Sequence, residues 1–151
     1  MGRHAQTQLR PAGFARHERL NDIELSVPAR PESVAAIRRL LGGVGESLGL
    51  REAAVEDLRL AVTEACTNVV RHAYGEGARG PIEISIRPDH GAVHVVVADR
   101  GRGIGPSPDT AGPGLGLPLI AAVADSVQIQ QRPGAGSRVA MSFARPRAGV
   151  A

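Results

Sequence analysis

The chain has 151 residues, a formal net charge of +3, 42% hydrophobic residues and 22% charged residues. These proportions are typical of one globular domain. No apolar run reaches the roughly 18 residues that a membrane-spanning helix needs. The first twenty residues also lack the apolar stretch of a secretory signal. We therefore expect a cytoplasmic protein without membrane contact, and its single cysteine, Cys66, excludes both an intramolecular disulfide and a cysteine zinc cluster.

The basic residues do not indicate nucleic-acid binding. All 18 of them are Arg, but they form no dense cluster that would follow a phosphate backbone. The aromatic residues are Phe14, Tyr74 and Phe143, too few for a platform on which bases stack. We expect no direct contact with nucleic acid.

The predicted elements begin after a short arm. Residues 1–20 mix charge, Pro and Gly without periodicity, which predicts a flexible N-terminal arm. Alternation in 22–27 predicts a strand, and Pro31 then suits the first position of a helix that ends near Gly49. Apolar residues at steps of three and four predict a second helix over about 52–73.

The second half of the chain is predicted to contain two hairpins. Segments 82–86 and 92–99 form the first, and 126–131 and 137–143 form the last. Between them lie a Gly-rich and Pro-rich loop, 100–116, and a helix, 117–125. This order predicts an α/β (α+β) two-layer sandwich, with helices on one face of a mixed, mostly antiparallel sheet. The domain would span 21–145, and 146–151 would be a flexible tail.

The second helix carries Glu64 and Asn68 four residues apart, away from its apolar stripe. Their side chains are neighbours on one face, and Ala61 leaves room beside them. Carboxylate and amide oxygens suit Mg²⁺, and a carboxylate can also take a proton from a hydroxyl. Taken alone, the pair fits a solvated helix flank better than a binding site. His72, one turn further on, is a weaker candidate for the same site.

Two glycine clusters follow the second helix. Asp99 ends a predicted buried strand and precedes Gly101 and Gly103, so that a flat ligand could approach the backbone there. Gly114 and Gly116 precede the next helix, whose free N–H groups would bind an anion. Each cluster alone also fits an ordinary glycine-rich turn. Together with Asn68 they favour one ligand, ATP: Asp99 accepts from the adenine amine, the second cluster holds the phosphates, and Asn68 holds the bridging Mg²⁺.

These motifs resemble those of the GHKL ATPase superfamily, which has the Bergerat fold. Glu64 and Asn68 match its N box, Asp99 to Gly103 its first glycine box, and Gly114-Leu115-Gly116-Leu117 its second. The segment 136–143, GSRVAMSF, is similar to the last box. The stretch EACTNVVRHAY, residues 64–74, most resembles the bacterial anti-sigma factor serine/threonine-protein kinases.

The resemblance implies a kinase that transfers the γ-phosphate of ATP to a serine of an anti-anti-sigma protein with a STAS domain. It implies that Glu64 is the catalytic base and that Asn68 is the metal ligand. It further implies a sigma factor as a second partner, a role in transcription regulation, and a homodimer, which is common in the family. Residues of the boxes would then bind the nucleotide: Asn68, His72, Asp99, Gly101, Gly103, Ile104, Gly114, Leu115, Gly116, Leu117 and Ser137.

The loop between the glycine boxes departs from the family pattern. Residues 106–113 are few and rich in Pro, and they contain no Lys; the nearest cations are Arg100 and Arg102. Charge on a transferring phosphate must be neutralised. An alternative function is therefore a regulatory module that binds ATP without transferring phosphate.

Overall fold

The structure is a computed structural model that describes residues 22–103 and 116–146. The arm, the loop 104–115 and residues 147–151 lie outside the described residues. The elements follow the predicted order: β1 (Ile23–Pro28), α1 (Pro31–Ser47), α2 (Glu52–Asn68), a π-helical segment (Val69–Ala73), β2 (Pro81–Pro88), β3 (Ala92–Asp99), α3 (Gly116–Val123), β4 (Ser126–Arg132) and β5 (Gly136–Ala144). In these ranges no helix is long and apolar enough to cross a membrane.

The five strands form one sheet in the order β1-β2-β3-β5-β4. All four pairings among the described strands are antiparallel, so the prediction of a mixed sheet is wrong in that respect. The chain passes from β3 through α3 to β4, which is the edge strand of the sheet. It then returns as β5, which lies between β3 and β4. The strands that run parallel to β3, β1 and β4, are therefore not its neighbours.

Alternating side chains give the sheet one buried face. Ile82, Ile84 and Ile86 of β2 are at most 2% exposed, while Glu83 and Ser85 between them point to the other face. The same alternation continues in β3 and β5. Helices cover the buried face, which confirms the predicted two-layer α+β arrangement. One end of the central strand β3 is thereby placed next to the helical layer.

The helix α1 packs closely against α2. Pro31 begins it, and Gly49 follows its end with a positive φ of 79°. At Gly45 an added Cβ would lie 3.1 Å from a methyl carbon of Val55 on α2. This close approach of the two helices fixes α2, the helix that carries Glu64 and Asn68.

The sequence predicts a single helix over about 52–73, but the structure does not contain a uniform α-helix to residue 73. It ends as an α-helix at Asn68 and continues as a five-residue π segment, Val69–Ala73, before Tyr74 becomes extended. Single π turns within helices are frequent at functional sites. Here the change of helix type begins directly after Asn68.

Candidate nucleotide-binding site

Glu64 and Asn68 lie one turn apart on α2, and both are half-buried. Ala61, which is fully buried, precedes Glu64 by one turn. Within residues 22–103 and 116–146, neither of the two polar side chains has a hydrogen-bond or ion-pair partner. The pair thus presents two unengaged oxygen donors beside each other, the arrangement expected for a site that binds a cation or a hydroxyl group.

His72 belongs to the π segment, and its side chain is exposed. Its backbone carbonyl accepts a hydrogen bond from the guanidinium of Arg102, at 3.1 Å. The structure therefore connects the backbone of His72 to the loop that follows β3. A role for the His72 ring in binding a ligand stays a prediction.

Asp99 ends β3 and is 6% exposed, the one buried charged residue in the described part of the chain. Its Oδ1 accepts from the backbone N–H of Gly101 at 2.8 Å and from that of Ser137 at 3.3 Å. Its Oδ2 accepts from the hydroxyl of Ser137. In the antiparallel pairing of β3 with β5, Ala98 lies opposite Arg138, so the next residues, Asp99 and Ser137, are neighbours. The pairing thus brings these two predicted site residues together.

The glycines around Asp99 admit the backbone of the protein itself. A Cβ at Gly101 would lie 2.0 Å from the carbonyl oxygen of Ala73, and a Cβ at Gly136 would lie 2.0 Å from that of Asp99. Gly103 has a positive φ of 63°, and its Cβ would lie 2.0 Å from the carbonyl oxygen of Arg132. The loop after Asp99 is thus held between the end of the π segment and the last hairpin.

The second glycine cluster is described only at its end. Ile104, Gly114 and Leu115 lie outside the described residues, as does the predicted lid, 106–113. Gly116 begins α3, and the side chain of Leu117 packs against the hydrophobic core. Because α3 packs against α2, its first turn lies in the same layer as Glu64 and Asn68.

The two cations nearest the first glycine cluster are engaged elsewhere. Nε of Arg100 lies 2.5 Å from Oε1 of Glu83. This contact is an ion pair without hydrogen-bond geometry, and it lies on the face of the sheet that the helices do not cover. Arg102 donates to the carbonyl of His72. Both guanidinium groups therefore have partners within the protein.

Other reactive side chains do not join the site. Cys66 is fully buried, and burial raises the pKa of its thiol to about 12, so it is not a nucleophile. His94 contacts Asp89 at the opposite end of β3. His90 lies in the turn between β2 and β3, as predicted.

The hydroxyl group of Tyr74 makes two hydrogen bonds that the motifs in the sequence do not predict. The hydroxyl donates to the carbonyl of Pro81 at 2.6 Å and accepts from the N–H of Arg100 at 3.1 Å. These partners are 7 and 26 residues away in the chain. No local pattern in the sequence signals such contacts.

Comparison with known proteins agrees with this architecture. A family model described as a histidine kinase-like ATPase domain matches residues 27–143. The serine-protein kinase RsbW of Bacillus subtilis is 37% identical over 127 residues, covering 74% of this chain and 79% of the relative. The RsbW of Bacillus thuringiensis (strain Al Hakam) is 37% identical over 133 residues, covering 78% of this chain and 82% of the relative.

A solved structure shows the same fold. It is the crystal structure of the RsbU and RsbW domains of Rv1364c from Mycobacterium tuberculosis, with a TM-score of 0.66 and 20% sequence identity. The match covers 86% of this chain and 34% of that longer chain. The resemblance seen in the motifs is thereby confirmed: the chain belongs to the family of histidine kinase-like ATPase domains, among the relatives of the serine-protein kinase RsbW.

Proposed function

We propose that this protein is an ATP-dependent serine kinase that phosphorylates an anti-anti-sigma protein with a STAS domain. A sigma factor is the second partner in this proposal, and the cytoplasm is its location. The observation that carries the proposal is the pair of unengaged oxygen donors, Glu64 and Asn68, in the same layer as the start of α3.

The donor set on α2 fits Mg²⁺. An amide oxygen and a carboxylate are hard ligands, and Mg²⁺ typically takes one or two such protein ligands together with phosphate oxygens and water. Asn68 would hold the ion through its amide oxygen. When bound, Mg²⁺ neutralises charge on the phosphates of ATP.

The surroundings of Asp99 fit an adenine. A carboxylate has about four lone-pair positions, and hydrogen bonds from Gly101 and Ser137 use three of them. One position is left to accept from the exocyclic amine of adenine. Guanine carries a carbonyl oxygen at the corresponding position, and a carboxylate would repel it, so Asp99 would select ATP over GTP.

Glu64 would act on the protein substrate. Its carboxylate lies one turn before Asn68, beside the place of the metal, and no described residue occupies its oxygens. Such a carboxylate can accept the proton of a serine hydroxyl while the hydroxyl oxygen attacks the γ-phosphorus of ATP and ADP leaves. In this proposal Glu64 orients the incoming serine and removes its proton.

The test uses γ-labelled ATP, Mg²⁺ and a panel of purified STAS-domain proteins. We expect label on a serine of one of them with the wild-type chain and loss of that label with Glu64→Gln. Calorimetry should show that Glu64→Gln binds ATP as the wild type does. Equal transfer by Glu64→Gln would contradict the role of this residue as the base.

The alternative function is an ATP-binding regulatory module without phosphotransfer. The contacts of Arg100 with Glu83 and of Arg102 with the carbonyl of His72 favour it, since both guanidinium groups nearest the first glycine cluster already have protein partners. In the same experiment this alternative predicts Mg²⁺-dependent ATP binding without label on any STAS protein. A partner captured equally well by the wild type and by Glu64→Gln would then identify what the module regulates.

A further inference from the structure

Tyr74 lies where the helix of Asn68 meets the loop of Asp99. It is the first extended residue after the π segment, six positions beyond Asn68. Its ring covers Gly80, where an added Cβ would lie 2.0 Å from a ring carbon, so the ring takes the space of a side chain there. Tyr74 is thus held in place by close packing before any hydrogen bond is considered.

The hydroxyl of Tyr74 fixes the backbone directly after Asp99. Arg100 donates its N–H to this hydroxyl at 3.1 Å, and the hydroxyl donates to the carbonyl of Pro81 at 2.6 Å. Pro81 begins β2 beside the end of β3, because Ile82 pairs with Asp99. Burial raises the pKa of Tyr74, which keeps the phenol protonated and able to donate.

Further bonds from the same segment hold the next residues of the loop. The carbonyl of Ala73 accepts from the N–H of Arg102 at 2.8 Å, and the carbonyl of His72 accepts from its guanidinium. Gly101 must be glycine for Ala73 to approach it so closely. Three consecutive residues, His72 to Tyr74, therefore contact three consecutive residues, Arg100 to Arg102.

These contacts lie between the two ends of the candidate nucleotide site. Asp99 would bind the base, and Asn68 would hold the metal on the phosphates. A nucleotide has a limited reach, so both ends bind well only if the spacing of the two residues is right. The Asp99 carboxylate accepts from the N–H of Gly101, which directly follows the residue whose N–H Tyr74 holds.

We propose that Tyr74 is a positioning residue of the nucleotide site: through its bridge from Pro81 to Arg100 it aims the Asp99 carboxylate at the base and sets the distance from Asp99 to Asn68. This inference rests on the proposed binding of ATP at these residues. Tyr74 itself does not touch the nucleotide, and it acts on affinity and on base selection through Asp99.

The test compares Tyr74→Phe with Thr67→Val in the full chain. Tyr74→Phe keeps the ring over Gly80 and removes both hydrogen bonds of the hydroxyl. Thr67→Val is a matched control, because the hydroxyl of Thr67 donates within α2 to the carbonyl of Thr63, at 2.8 Å, and bonds to no other segment among residues 22–103 and 116–146. Dissociation constants for ATP and for GTP are measured by calorimetry with Mg²⁺, and thermal unfolding reports the stability of each variant.

We expect Tyr74→Phe to weaken ATP binding by about tenfold, the effect of losing one well-placed hydrogen bond or slightly more. The preference for ATP over GTP should fall by a similar factor, which a loss of stability alone would not cause. Thr67→Val should keep both the affinity and the preference. The amide hydrogen of Arg100 should exchange faster with solvent in Tyr74→Phe than in either of the other proteins.

Wild-type affinity and wild-type preference in Tyr74→Phe would overturn the inference and leave the proposed function intact. An equal loss of preference in Thr67→Val would also overturn it, since the effect would then be one of general loosening. Absence of ATP binding by the wild-type chain would instead overturn the proposed function, and with it the inference.

Discussion

The two ends of the candidate site are built in different ways. At the base end, Asp99 is buried, accepts three hydrogen bonds and is followed by glycines against which other backbone segments pack. At the metal end, Glu64 and Asn68 are half-buried and have no partner among the described residues. The first end is held mainly by contacts within the fold, whereas no described residue engages the donors of the second end.

This difference separates stability from function. Substitutions at the base end remove contacts on which the folded state depends, so they should lower both stability and binding. Substitutions at the metal end remove groups that contribute little to the folded state, so they should lower function alone. Substitutions at each end of the site test this distinction.

Gly101→Ala should be the most destabilising change. Its Cβ would lie 2.0 Å from the carbonyl oxygen of Ala73, which is backbone and cannot rotate away. We expect a loss of about 3 kcal/mol or more in the free energy of unfolding, measured in urea. Gly43→Ala is the control, since nothing lies within 4 Å of its Cβ and α1 should gain about 0.5–1 kcal/mol.

If Gly101→Ala were as stable as the wild type, the loop after Asp99 would be able to move away from the π segment. The base end would then be no more fixed than the metal end, and the comparison would fail.

Asp99→Asn should lower stability and nucleotide binding together. An amide has one accepting oxygen instead of two. That oxygen can still accept from the N–H groups of Gly101 and Ser137, but the amide nitrogen in place of Oδ2 cannot accept from the hydroxyl of Ser137. We expect a loss of about 1–3 kcal/mol in unfolding free energy, and weaker ATP binding with less preference over GTP. Urea unfolding and calorimetry check the two effects.

Asp125→Asn is the matched control for this change. The Asp125 carboxylate accepts from the N–H of Ala144 at 2.6 Å, at an exposed position away from the site. It should leave both the ATP affinity and the preference unchanged. Unchanged preference in Asp99→Asn would contradict the adenine role of Asp99.

Asn68→Ala should change function without changing stability. Its side chain has no partner in the described part of the chain, so the free energy of unfolding should stay within about 0.5 kcal/mol of the wild type. Calorimetry with and without Mg²⁺ should show that the Mg²⁺-dependent part of ATP binding is lost. A marked loss of stability would mean that the metal end is also part of the fold.

Asp89 lies outside both ends of the candidate site, and we expect its contribution to stability at acid pH to be the smallest of these effects. Asp89 accepts from the N–H groups of Gly91 and Ala92 and contacts His94, and these contacts lower its pKa from 3.8 to about 2. A lowered pKa stabilises the folded state above 3.8, and this contribution is lost as pH falls through about 2. Asp89→Asn should therefore flatten part of the decline in melting temperature over that interval. An identical decline of the melting temperature in the wild type and in Asp89→Asn would contradict the stabilising role of Asp89.

Much of the fold follows from hydrophobic periodicity. The alternation in 82–86 and 92–99 predicted the hairpin that the structure forms as β2 and β3, and steps of three and four predicted α2. The ordered motifs placed Glu64, Asn68 and Asp99 as candidates, and the structure pairs Asp99 with Ser137 as neighbours. These features are local or depend on one strand register.

The remaining features depend on contacts between distant segments. The residues Val69–Ala73 contain no pattern that predicts a π segment. The end of this segment contacts a distant part of the chain, since Ala73 accepts from Arg102 in the loop after β3. The glycines at 101 and 103 were predicted to admit a ligand, but the sequence does not state which atoms approach them. The insertion of β5 beside β3, which makes every described pairing antiparallel, is likewise a matter of topology rather than of pattern.

The junction at Tyr74 also determines the optical properties of the protein. The chain contains one tyrosine and no tryptophan, so nearly all of its intrinsic fluorescence comes from this ring. The fluorophore lies where the helix of Asn68 meets the loop of Asp99, with its hydroxyl bonded to Pro81 and to Arg100. A change in emission on adding nucleotide would thus report movement at this place, without any attached dye.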